Sequence, residues 1–331
     1  MGAAAQAPPF FLPSSAILNY NTIKSVQIHL AILERKGAIQ MTEIRDIGFI
    51  GTGIMGKSML RNLGKAGYAM HCFARHPEKV ADLQTEGVEI HPTIASLAQA
   101  CQCLITIVGF PKDVEEVYFS PEALLDSALP GSYLIDMTTT SPTLARKLYE
   151  EGTKRGFHVL DAPVTGGDTG AKNGTLSILV GGDRADFDFL QPVFRGMGTN
   201  INYMGEAGKG QHAKMANQIM IAGALSGVCE ALNYARANGL DLDTLLKAVS
   251  TGAAGSAQLN AFGAKMIHGD FAPGFFLKHF IKDMGLAEEE AEKKALDLPV
   301  LKQVLKEYRE LAAEGKGDLG TQALYTYYEK K

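Results

Sequence analysis

The chain has 331 residues and a formal net charge of −4 at pH 7; 46% of its residues are apolar and 21% are charged. This length favours two domains over a single core. The nearly balanced charge, without basic tracts among aromatic residues, argues against a nucleic-acid-binding protein, and no apolar run reaches the roughly 18 residues of a transmembrane span.

Residues 1–43 precede the first recognisable element, and we expect this N-terminal extension to lie outside the fold. The segment lacks the basic start, apolar block and cleavage site of a secretory signal; a transit peptide is an alternative. Glu-Arg-Lys-Gly-Ala-Ile-Gln directly before Met41 is what a purine-rich bacterial ribosome-binding site would encode if it were translated. We therefore hypothesise that Met41 is the true start, which the intact mass of the protein expressed from its native gene would test.

Strands and helices alternate between residues 44 and 205. Apolar, strand-like segments lie at residues 46–51, 68–75, 103–109, 132–138, 157–163 and 175–182. The segments between them have the spacing and end signals of helices, such as Pro77 at the start of one and Gly87 at its end. This alternation predicts a mostly parallel sheet with helices on both faces.

A glycine-rich motif links the first strand to the first helix. Its residues are Gly51, Thr52, Gly53, Ile54, Met55 and Gly56. Its place within a strand–helix–strand unit of about 30 residues is typical of a dinucleotide-binding loop. There, Gly51 permits the tight turn, Gly53 lets a pyrophosphate approach the backbone, and Gly56 lets the helix pack closely. A glycine turn that only packs is the alternative.

The end of the second strand indicates which dinucleotide is preferred. An acidic residue there would hold the ribose 2′-hydroxyl of NAD, but the sequence is Phe73-Ala74-Arg75-His76. A guanidinium can pair with the 2′-phosphate of NADP, whereas a carboxylate would repel it. We therefore predict that NADP(H) is preferred over NAD(H); a solvated surface arginine is the alternative.

Polar residues follow two later strands, at residues 136–142 and 161–167. The second group includes Thr165, Gly166 and Gly167. Ligands of open α/β sheets bind outside the carboxyl ends of the strands, where hydroxyls and glycine N–H groups can donate to a carboxylate. Either group alone is more typical of a turn than of a site.

The chain becomes helical after residue 205. Helices are predicted at residues 207–237, 241–251, 255–268, 277–293 and 298–313. The sequence therefore predicts an α/β Rossmann-type dinucleotide-binding domain at residues 44–205, followed by an all-α domain at residues 206–331. Small-molecule sites commonly lie between domains.

Lys214 lies near the start of the long helix predicted at residues 207–237. It shares a helix face with residues at offsets of three, four, seven, eleven and fourteen: Asn217, Gln218, Ile221, Leu225 and Val228. An unpaired buried ammonium costs free energy, so a lysine at the head of a core-forming face indicates a function. The alternative is that its side chain reaches solvent from the first turn.

The sequence gives little indication of a metal or a disulfide. The four cysteines are Cys72, Cys101, Cys103 and Cys229. Cys101 and Cys103 lack the spacing of a zinc pair, and His212 and His279 belong to no cluster with ligand spacing. We expect reduced, mostly buried thiols, no metal cofactor and a cytoplasmic protein.

Five motifs follow one another along the chain and carry a family resemblance that covers about residues 44–329. They are DIGFIGTGIMGKSML, IDMTTTSP, DAPVTGGDTGAKNGTLSILVGGD, GKGQHAKMANQ and FAPGFFLKHFIKDMGLA. Together they resemble the β-hydroxyacid dehydrogenase family, which includes 3-hydroxyisobutyrate dehydrogenases, tartronate semialdehyde reductases and glyoxylate/succinic semialdehyde reductases. The resemblance implies an architecture like that of 6-phosphogluconate dehydrogenases.

The resemblance also implies roles for individual residues. Lys214 matches the family's catalytic lysine, and Asn217 matches the asparagine that helps to hold the lysine and the substrate. The other predicted substrate-binding residues are Thr139, Thr165, Gly166, Gly167, Gln218 and Asp283. Beyond the glycine motif and Arg75, the predicted cofactor-binding residues are Val108, Gly109, Thr139 and Lys282. Most relatives have serine in place of Thr165, and Leu-Pro in place of Val108 and Gly109.

The function implied is hydride transfer between NADPH and a small aldehyde acid or β-hydroxy acid. Examples are 2-hydroxy-3-oxopropionate, succinic semialdehyde and 3-hydroxyisobutyrate, with Lys214 as general acid and base. A homodimer or homotetramer is expected, without a nucleic-acid or membrane partner. Imine reductases share the architecture but generally lack the lysine, and 6-phosphogluconate dehydrogenases have a much larger helical domain. A non-catalytic NADP-sensing module is a further alternative.

Overall fold

The protein is represented by a computed structural model that describes residues 43–330. Apart from Glu43, the predicted N-terminal extension lies outside the described residues, and so does the proposed start at Met41. The last strand of the sheet ends at Gly205, and the long helix begins at Lys209. The chain from Ile44 onward forms one compact unit. The two-domain boundary at residues 205 and 206 stays a prediction.

Nine strands form one sheet in the described part of the chain. They are β1 (Asp46–Ile50), β2 (Ala69–Phe73), β3 (Glu89–His91), β4 (Cys103–Thr106), β5 (Tyr133–Asp136), β6 (His158–Asp161), β7 (Val164–Thr165), β8 (Leu176–Gly181) and β9 (Gly198–Gly205). The order is β3-β2-β1-β4-β5-β6-β8-β7, with β9 paired to β8. Strands β1 to β6 pair in parallel, whereas β8 runs antiparallel to β6 and β7.

Helices flank this sheet, as the alternating sequence predicts. They are α1 (Ile54–Lys65), α2 (Ala81–Thr85), α3 (Ile94–Ala100), α4 (Pro111–Phe119), α5 (Leu124–Ser127), α6 (Pro142–Lys154), α7 (Gly167–Asn173), α8 (Arg184–Phe189) and α9 (Gln191–Arg195), with a 3₁₀ turn at Pro77–Val80. The α/β Rossmann-type prediction is confirmed. Its core is formed by apolar side chains of the strands and of the helices packed on them, including Leu104 and Leu134.

The carboxyl ends of four parallel strands meet at one edge of the sheet. Ile50 of β1 pairs with Thr106 of β4, Thr106 with Asp136 of β5, and Asp136 with Asp161 of β6. Because these strands end in register, the loops that follow them converge on a common crevice. The site residues predicted at strand ends therefore lie along this edge.

The sequence does not predict β3, β7 and β9. Strand β9 contains Asn200 and Asn202 and has several exposed residues, so it lacks the apolar run by which the other strands are recognised. Strands β3 and β7 are only three and two residues long. The strand predicted at residues 103–109 ends at Thr106, because residues 107–109 belong to the crevice loop.

The C-terminal part of the described chain is helical. Its elements are α10 (Lys209–Ala237), α11 (Leu242–Val249), α12 (Ala257–Ile267), α13 (Leu277–Glu292), α14 (Pro299–Leu311) and α15 (Tyr325–Tyr328), with a π-helical turn at Ala312–Lys316 and a 3₁₀ turn at Thr321–Leu324. The five helices predicted from the sequence are present. This region therefore confirms the all-α prediction.

Helix α10 is the central helix of this region. It has the length and apolar composition of a membrane-spanning helix, and 44% of its most apolar window is buried inside the structure. Leu225 and Cys229 on α10 share a core with Phe280 and Met284 on α13 and with Tyr308 on α14. Its apolar face is thus explained by packing against neighbouring helices.

Candidate active site

The glycine-rich loop between β1 and α1 has the geometry of a phosphate-binding turn. Gly51 has a φ of 98°, and a Cβ there would lie 2.1 Å from the carbonyl oxygen of Ile107. A Cβ at Gly56 would lie 1.9 Å from the carbonyl oxygen of Gly51, so only glycine lets α1 pack this closely. By contrast, no heavy atom of the described residues comes within 4 Å of a Cβ built at Gly53. In dinucleotide-binding turns, the glycine at this position lets a pyrophosphate approach the backbone.

Thr52, Ile54 and Met55 complete the loop and the first turn of α1. Gly53 is the residue before the helix, and no side chain of the described residues caps it. The first N–H groups of α1 are therefore available to an anion at the positive end of the helix dipole. Together with the open space at Gly53, this makes the loop suitable for a dinucleotide.

Arg75 lies just beyond the carboxyl end of β2, with 65% of its side chain exposed. Its Nη1 atom is 3.7 Å from Oδ1 of Asp113, a largely buried carboxylate that also accepts a 3.0 Å hydrogen bond from the backbone N of Phe110. Ion pairs of exposed groups contribute little stability. The guanidinium can therefore exchange this partner for a phosphate.

Val108 and Gly109 lie where the sheet meets α13. The backbone N of Val108 donates a 2.9 Å hydrogen bond to Oγ1 of Thr138. A Cβ at Gly109 would lie 3.3 Å from Oδ2 of Asp113 and 3.4 Å from Cε1 of His279. The loop after β4 therefore lies against the first turns of α13 and lines the crevice.

Gln211 joins the loop after β5 to the first turn of α10. Its buried side chain donates through Nε2 to the carbonyl oxygen of Thr138 at 2.7 Å, and its Oε1 accepts from the backbone N of Thr140 at 3.1 Å. Gln211 was not predicted as a site residue, although it lies within GKGQHAKMANQ. Its place as a polar residue in a motif could have marked it as a candidate. Its backbone partners are distant in the chain, so no local sequence pattern predicts these contacts.

Asp161 fixes the start of α10. Its Oδ1 accepts a 2.7 Å hydrogen bond from the backbone N of Gly208, and its Oδ2 accepts a 2.8 Å bond from the backbone N of Gln211. A carboxylate at a helix N-terminus satisfies unpaired N–H groups and interacts favourably with the helix dipole. Burial raises the pKa of Asp161, and these N–H bonds oppose that shift. The contacts hold the first turn of α10 at the carboxyl edge of the sheet.

Lys214 follows one turn later on α10 and is only 7% exposed. Burial lowers the pKa of its ammonium to about 8; the charge of Asp283 opposes this shift and the charge of Lys282 adds to it. A lysine whose pKa lies this near neutral pH can both donate and accept a proton. The alternative of a solvated lysine is wrong.

Helix α13 brings Lys282 and Asp283 into this region. Nε2 of Gln218 donates a 2.7 Å hydrogen bond to Oδ2 of Asp283, and Nζ of Lys282 lies 2.8 Å from Oδ1 of the same carboxylate. Nζ of Lys282 also donates to the carbonyl oxygen of Thr139. These contacts join four predicted site residues from α10, α13 and the loop after β5.

Asn217 does not make the contact expected of it. Its Nδ2 donates a 2.7 Å hydrogen bond to Oε1 of Gln218, and no hydrogen bond between described residues joins it to Lys214. The Asn217 amide instead extends the chain of contacts that leads through Gln218 to Asp283. Its contact with a substrate stays a prediction.

Thr165, Gly166 and Gly167 form the turn between β7 and α7. The φ angles of the two glycines are 131° and 66°, which residues with a Cβ adopt only with strain. A Cβ at Gly274 would lie 2.9 Å from Oδ1 of Asp168, so the start of α7 packs against the segment before α13. The turn and Lys214 are not hydrogen-bonded to each other in the described chain; a substrate that spans them stays a prediction.

Two protein families match the chain in succession. Residues 46–205 match the family described as the NAD binding domain of 6-phosphogluconate dehydrogenase. Residues 208–328 match the family described as "NAD-binding of NADP-dependent 3-hydroxyisobutyrate dehydrogenase". The two matches cover the sheet with its glycine loop and the helices that carry Lys214 and Asp283.

Individual proteins are similar over the same range. The oxidoreductase YkwC of Bacillus subtilis is 46% identical over 286 residues, 86% of this chain and 99% of that protein. The 2-hydroxy-3-oxopropionate reductase of Escherichia coli is 37% identical, over 84% of this chain and 95% of that enzyme. The structure of Mycobacterium tuberculosis 3-hydroxyisobutyrate dehydrogenase with L-serine matches with a TM-score of 0.77 and 28% identity, covering 86% of this chain and 99% of that one.

The matches in sequence agree with the fold and with the resemblance carried by the five motifs. They extend over both the dinucleotide-type loop and the helical region, and the similar proteins are covered almost from end to end. The chain therefore belongs to the β-hydroxyacid dehydrogenase family of NAD(P)-dependent oxidoreductases.

Proposed function

We propose that the protein reduces a small aldehyde acid with NADPH, and that Lys214 is the proton donor. NAD(P)-dependent hydroxyacid oxidoreductase activity follows from the family; the substrate class, the preference for NADPH and the residue roles are the proposal. The observation that carries it is the buried Lys214, whose pKa is lowered to about 8. Such a group is suited to proton transfer at neutral pH.

In the proposed reaction Lys214 holds a proton at Nζ. The reduced nicotinamide, when bound, supplies a hydride to the carbonyl carbon. Lys214 donates its proton to the carbonyl oxygen as negative charge develops there. In the reverse direction the neutral amine removes the proton of the alcohol. The charge of Asp283 opposes the effect of burial on the pKa of Lys214. A larger fraction of the lysine therefore stays protonated and able to donate.

The turn at Thr165, Gly166 and Gly167 is proposed to hold the substrate carboxylate. A hydroxyl and two backbone N–H groups are suitable donors to an anion, and the positive φ angles of both glycines aim successive N–H groups in directions that other residues seldom provide. The similarity to 2-hydroxy-3-oxopropionate reductase supports an aldehyde acid as the substrate.

Arg75 is proposed to select NADP(H). Its exposed guanidinium lies at the end of β2, and its partner Asp113 is 3.7 Å away. A planar guanidinium binds a phosphate through paired hydrogen bonds. Asp113 is largely buried and accepts a hydrogen bond from the backbone N of Phe110. Its carboxylate therefore keeps a hydrogen-bond partner when Arg75 binds a phosphate.

We further propose that the protein forms a homodimer or homotetramer through the helical region. Apolar side chains exposed there are Met220, Tyr234, Leu240, Leu296 and Val300. Cγ1 of Val300 would lie 3.7 Å from a Cβ at Gly223, so α10 and α14 adjoin on this side. Large exposed apolar surfaces often mark an interface, and the family resemblance is the main support for this assembly. A monomeric mass by light scattering at micromolar concentration would contradict this assembly.

A cytoplasmic location is part of the same proposal. The four cysteines are free and buried, as expected of a protein in a reducing compartment. Fractionation of cells expressing the native gene tests it, and recovery of the protein outside the cytoplasm would contradict it.

The test of the proposed function is a panel of aldehyde acids with two cofactors. Tartronate semialdehyde, succinic semialdehyde, glyoxylate and methylmalonate semialdehyde are each incubated with NADPH and with NADH, and loss of cofactor absorbance is followed. Turnover of one acid with a higher kcat/KM for NADPH is the expected result. Tight NADPH binding without turnover of any acid would favour the NADP-sensing alternative.

A further inference from the structure

Three side chains on β2 and β3 form a cluster outside the proposed active site. His71 pairs with Glu89 and Phe73 with His91 in the parallel register of these strands, so His71, Glu89 and His91 lie on one face of the sheet. Nδ1 of His71 and Nε2 of His91 are 3.1 Å apart and share a hydrogen bond. The carboxylate of Glu89 comes within 3.5 Å of each of these nitrogens.

These separations match those of a bound zinc ion. A tetrahedral Zn²⁺ site with bonds of about 2.0–2.1 Å places its ligand atoms about 3.3 Å apart. The observed separations are 3.1 Å between the nitrogens and 3.5 Å from each nitrogen to a carboxylate oxygen. Two imidazoles and one carboxylate, with water as the fourth ligand, are also a set that zinc accepts.

Asp46 at the start of β1 selects the ligand form of His71. Its Oδ1 lies 3.3 Å from Nε2 of His71, and a carboxylate at this position requires a proton on Nε2. In neutral His71, Nδ1 then carries the lone pair and accepts the hydrogen bond from Nε2 of His91. Zn²⁺ would take the place of this shared proton, with His91 in its other tautomer, because a metal ligand must be deprotonated at the binding atom. A carboxylate behind a metal-bound histidine is a regular feature of zinc sites, because it fixes the tautomer and makes the ligand more basic.

The surroundings of the cluster suit a metal ion. The side chains of His71 and His91 are 12% and 9% exposed, whereas that of Glu89 is 66% exposed. The exposed Glu89 leaves a route by which an ion can enter from solvent.

We propose that His71, Glu89 and His91 form a divalent-cation site for Zn²⁺ that fastens β3, the edge strand, to β2. The metal acts structurally, because its ligands lie on the two strands at one end of the sheet, while Lys214 lies on α10 beyond the carboxyl ends of β5 and β6. This cluster has no local sequence pattern, because its ligands come from two strands and only the strand register brings them together.

The test is metal binding by the full chain after treatment with a chelator. Zn²⁺ is titrated by calorimetry, and Co²⁺ by its visible absorption. We expect one Zn²⁺ per chain, with a Kd on the order of 1 μM or tighter, and a Co²⁺ spectrum of a tetrahedral site. Failure of the wild-type chain to bind Zn²⁺ stoichiometrically would overturn the proposal.

Variants assign the site to these residues. Glu89→Gln and His91→Gln should each weaken Zn²⁺ binding at least tenfold, and Asp46→Asn by about 10- to 100-fold. Glu89 is exposed, so its variant tests the site even where a buried histidine variant fails to fold. His268→Gln is the control, because His268 is exposed and lies 3.4 Å from Asp243 instead. Equal affinity in Glu89→Gln and the wild type would overturn the proposal.

Discussion

Gln218 on α10 donates a 2.7 Å hydrogen bond to Oδ2 of Asp283 on α13. This bond connects the two helices through a buried carboxylate, whose other oxygen lies 2.8 Å from Nζ of Lys282 on α13 itself. The charge of Asp283 also favours the ammonium form of Lys214. The packing of α10 on α13 and the acidity of the proposed proton donor therefore depend on the same side chain.

Asp283→Asn should lower the pKa of Lys214 below its wild-type value of about 8. The reduction needs the protonated lysine, so its rate falls as pH rises through this pKa, and the fall should begin at lower pH in the variant. An asparagine carbonyl can still accept from Gln218, which preserves the helix contact. The pH profile of kcat measures the shift.

The matched control for this experiment is Asp318→Asn. Asp318 is 79% exposed and pairs with Lys278, on the same helix as Asp283. The Asp318→Asn substitution should leave the pH profile of kcat unchanged. Identical profiles for the wild type and Asp283→Asn would show that Asp283 does not tune the proton donor.

Two glycines of the same loop should respond differently to alanine. Gly56→Ala places a Cβ 1.9 Å from the carbonyl oxygen of Gly51, so α1 must move and the melting temperature should fall. Gly53→Ala meets no described atom within 4 Å, so stability should be retained while NADPH affinity falls. Thermal unfolding and NADPH titration separate the two effects; unchanged NADPH affinity in Gly53→Ala would contradict the position of the pyrophosphate.

Arg75→Ala should reduce kcat/KM for NADPH by roughly tenfold or more, because a charge-assisted hydrogen bond contributes about 1.5–3 kcal/mol. The value for NADH should change little, since NADH lacks the 2′-phosphate. Arg184→Ala is the control, with an exposed arginine paired to Asp188 on α8. A wild-type enzyme that uses NADH at least as efficiently as NADPH would refute the role of Arg75.

Thr165→Ala should raise KM for the aldehyde acid by about tenfold, since one hydrogen bond to a carboxylate is lost. Thr165→Ser keeps the hydroxyl, removes only a methyl group and should restore the wild-type KM. Steady-state kinetics at saturating cofactor compare the three proteins. Equal KM values in Thr165→Ala and the wild type would exclude the threonine hydroxyl as a carboxylate donor.

The fold was largely predictable because its signals are local. The strands and helices were predicted from apolar runs that alternate with segments of helical spacing. The dinucleotide-type loop was predicted from Gly51, Gly53 and Gly56 between a strand and a helix. Neither prediction required knowledge of distant contacts. Strand β9 was missed because Asn200 and Asn202 interrupt any apolar pattern, and its pairing with β8 is the main indication of its structure.

The site was predictable in its residues but less so in its contacts. Lys214, Gln218 and Asp283 belong to motifs, yet the hydrogen bond of Asn217 to Gln218 instead of Lys214 depends on packing between helices. The anchoring of α10 by Asp161 joins residues 47 positions apart. Such contacts follow from the arrangement of elements, which a single sequence does not specify residue by residue.

The role of Lys214 as proton donor is tested most directly by the turnover of Lys214→Ala with the best substrate of the aldehyde-acid panel. Alanine at this position removes a buried ammonium and creates no unpaired buried charge. The variant should therefore fold and bind NADPH as the wild type does. Lys247→Ala, at an exposed position on α11, is the control. We expect kcat of Lys214→Ala to fall by roughly a hundredfold or more while NADPH affinity is kept; turnover close to that of the wild type would rule out Lys214 as the proton donor.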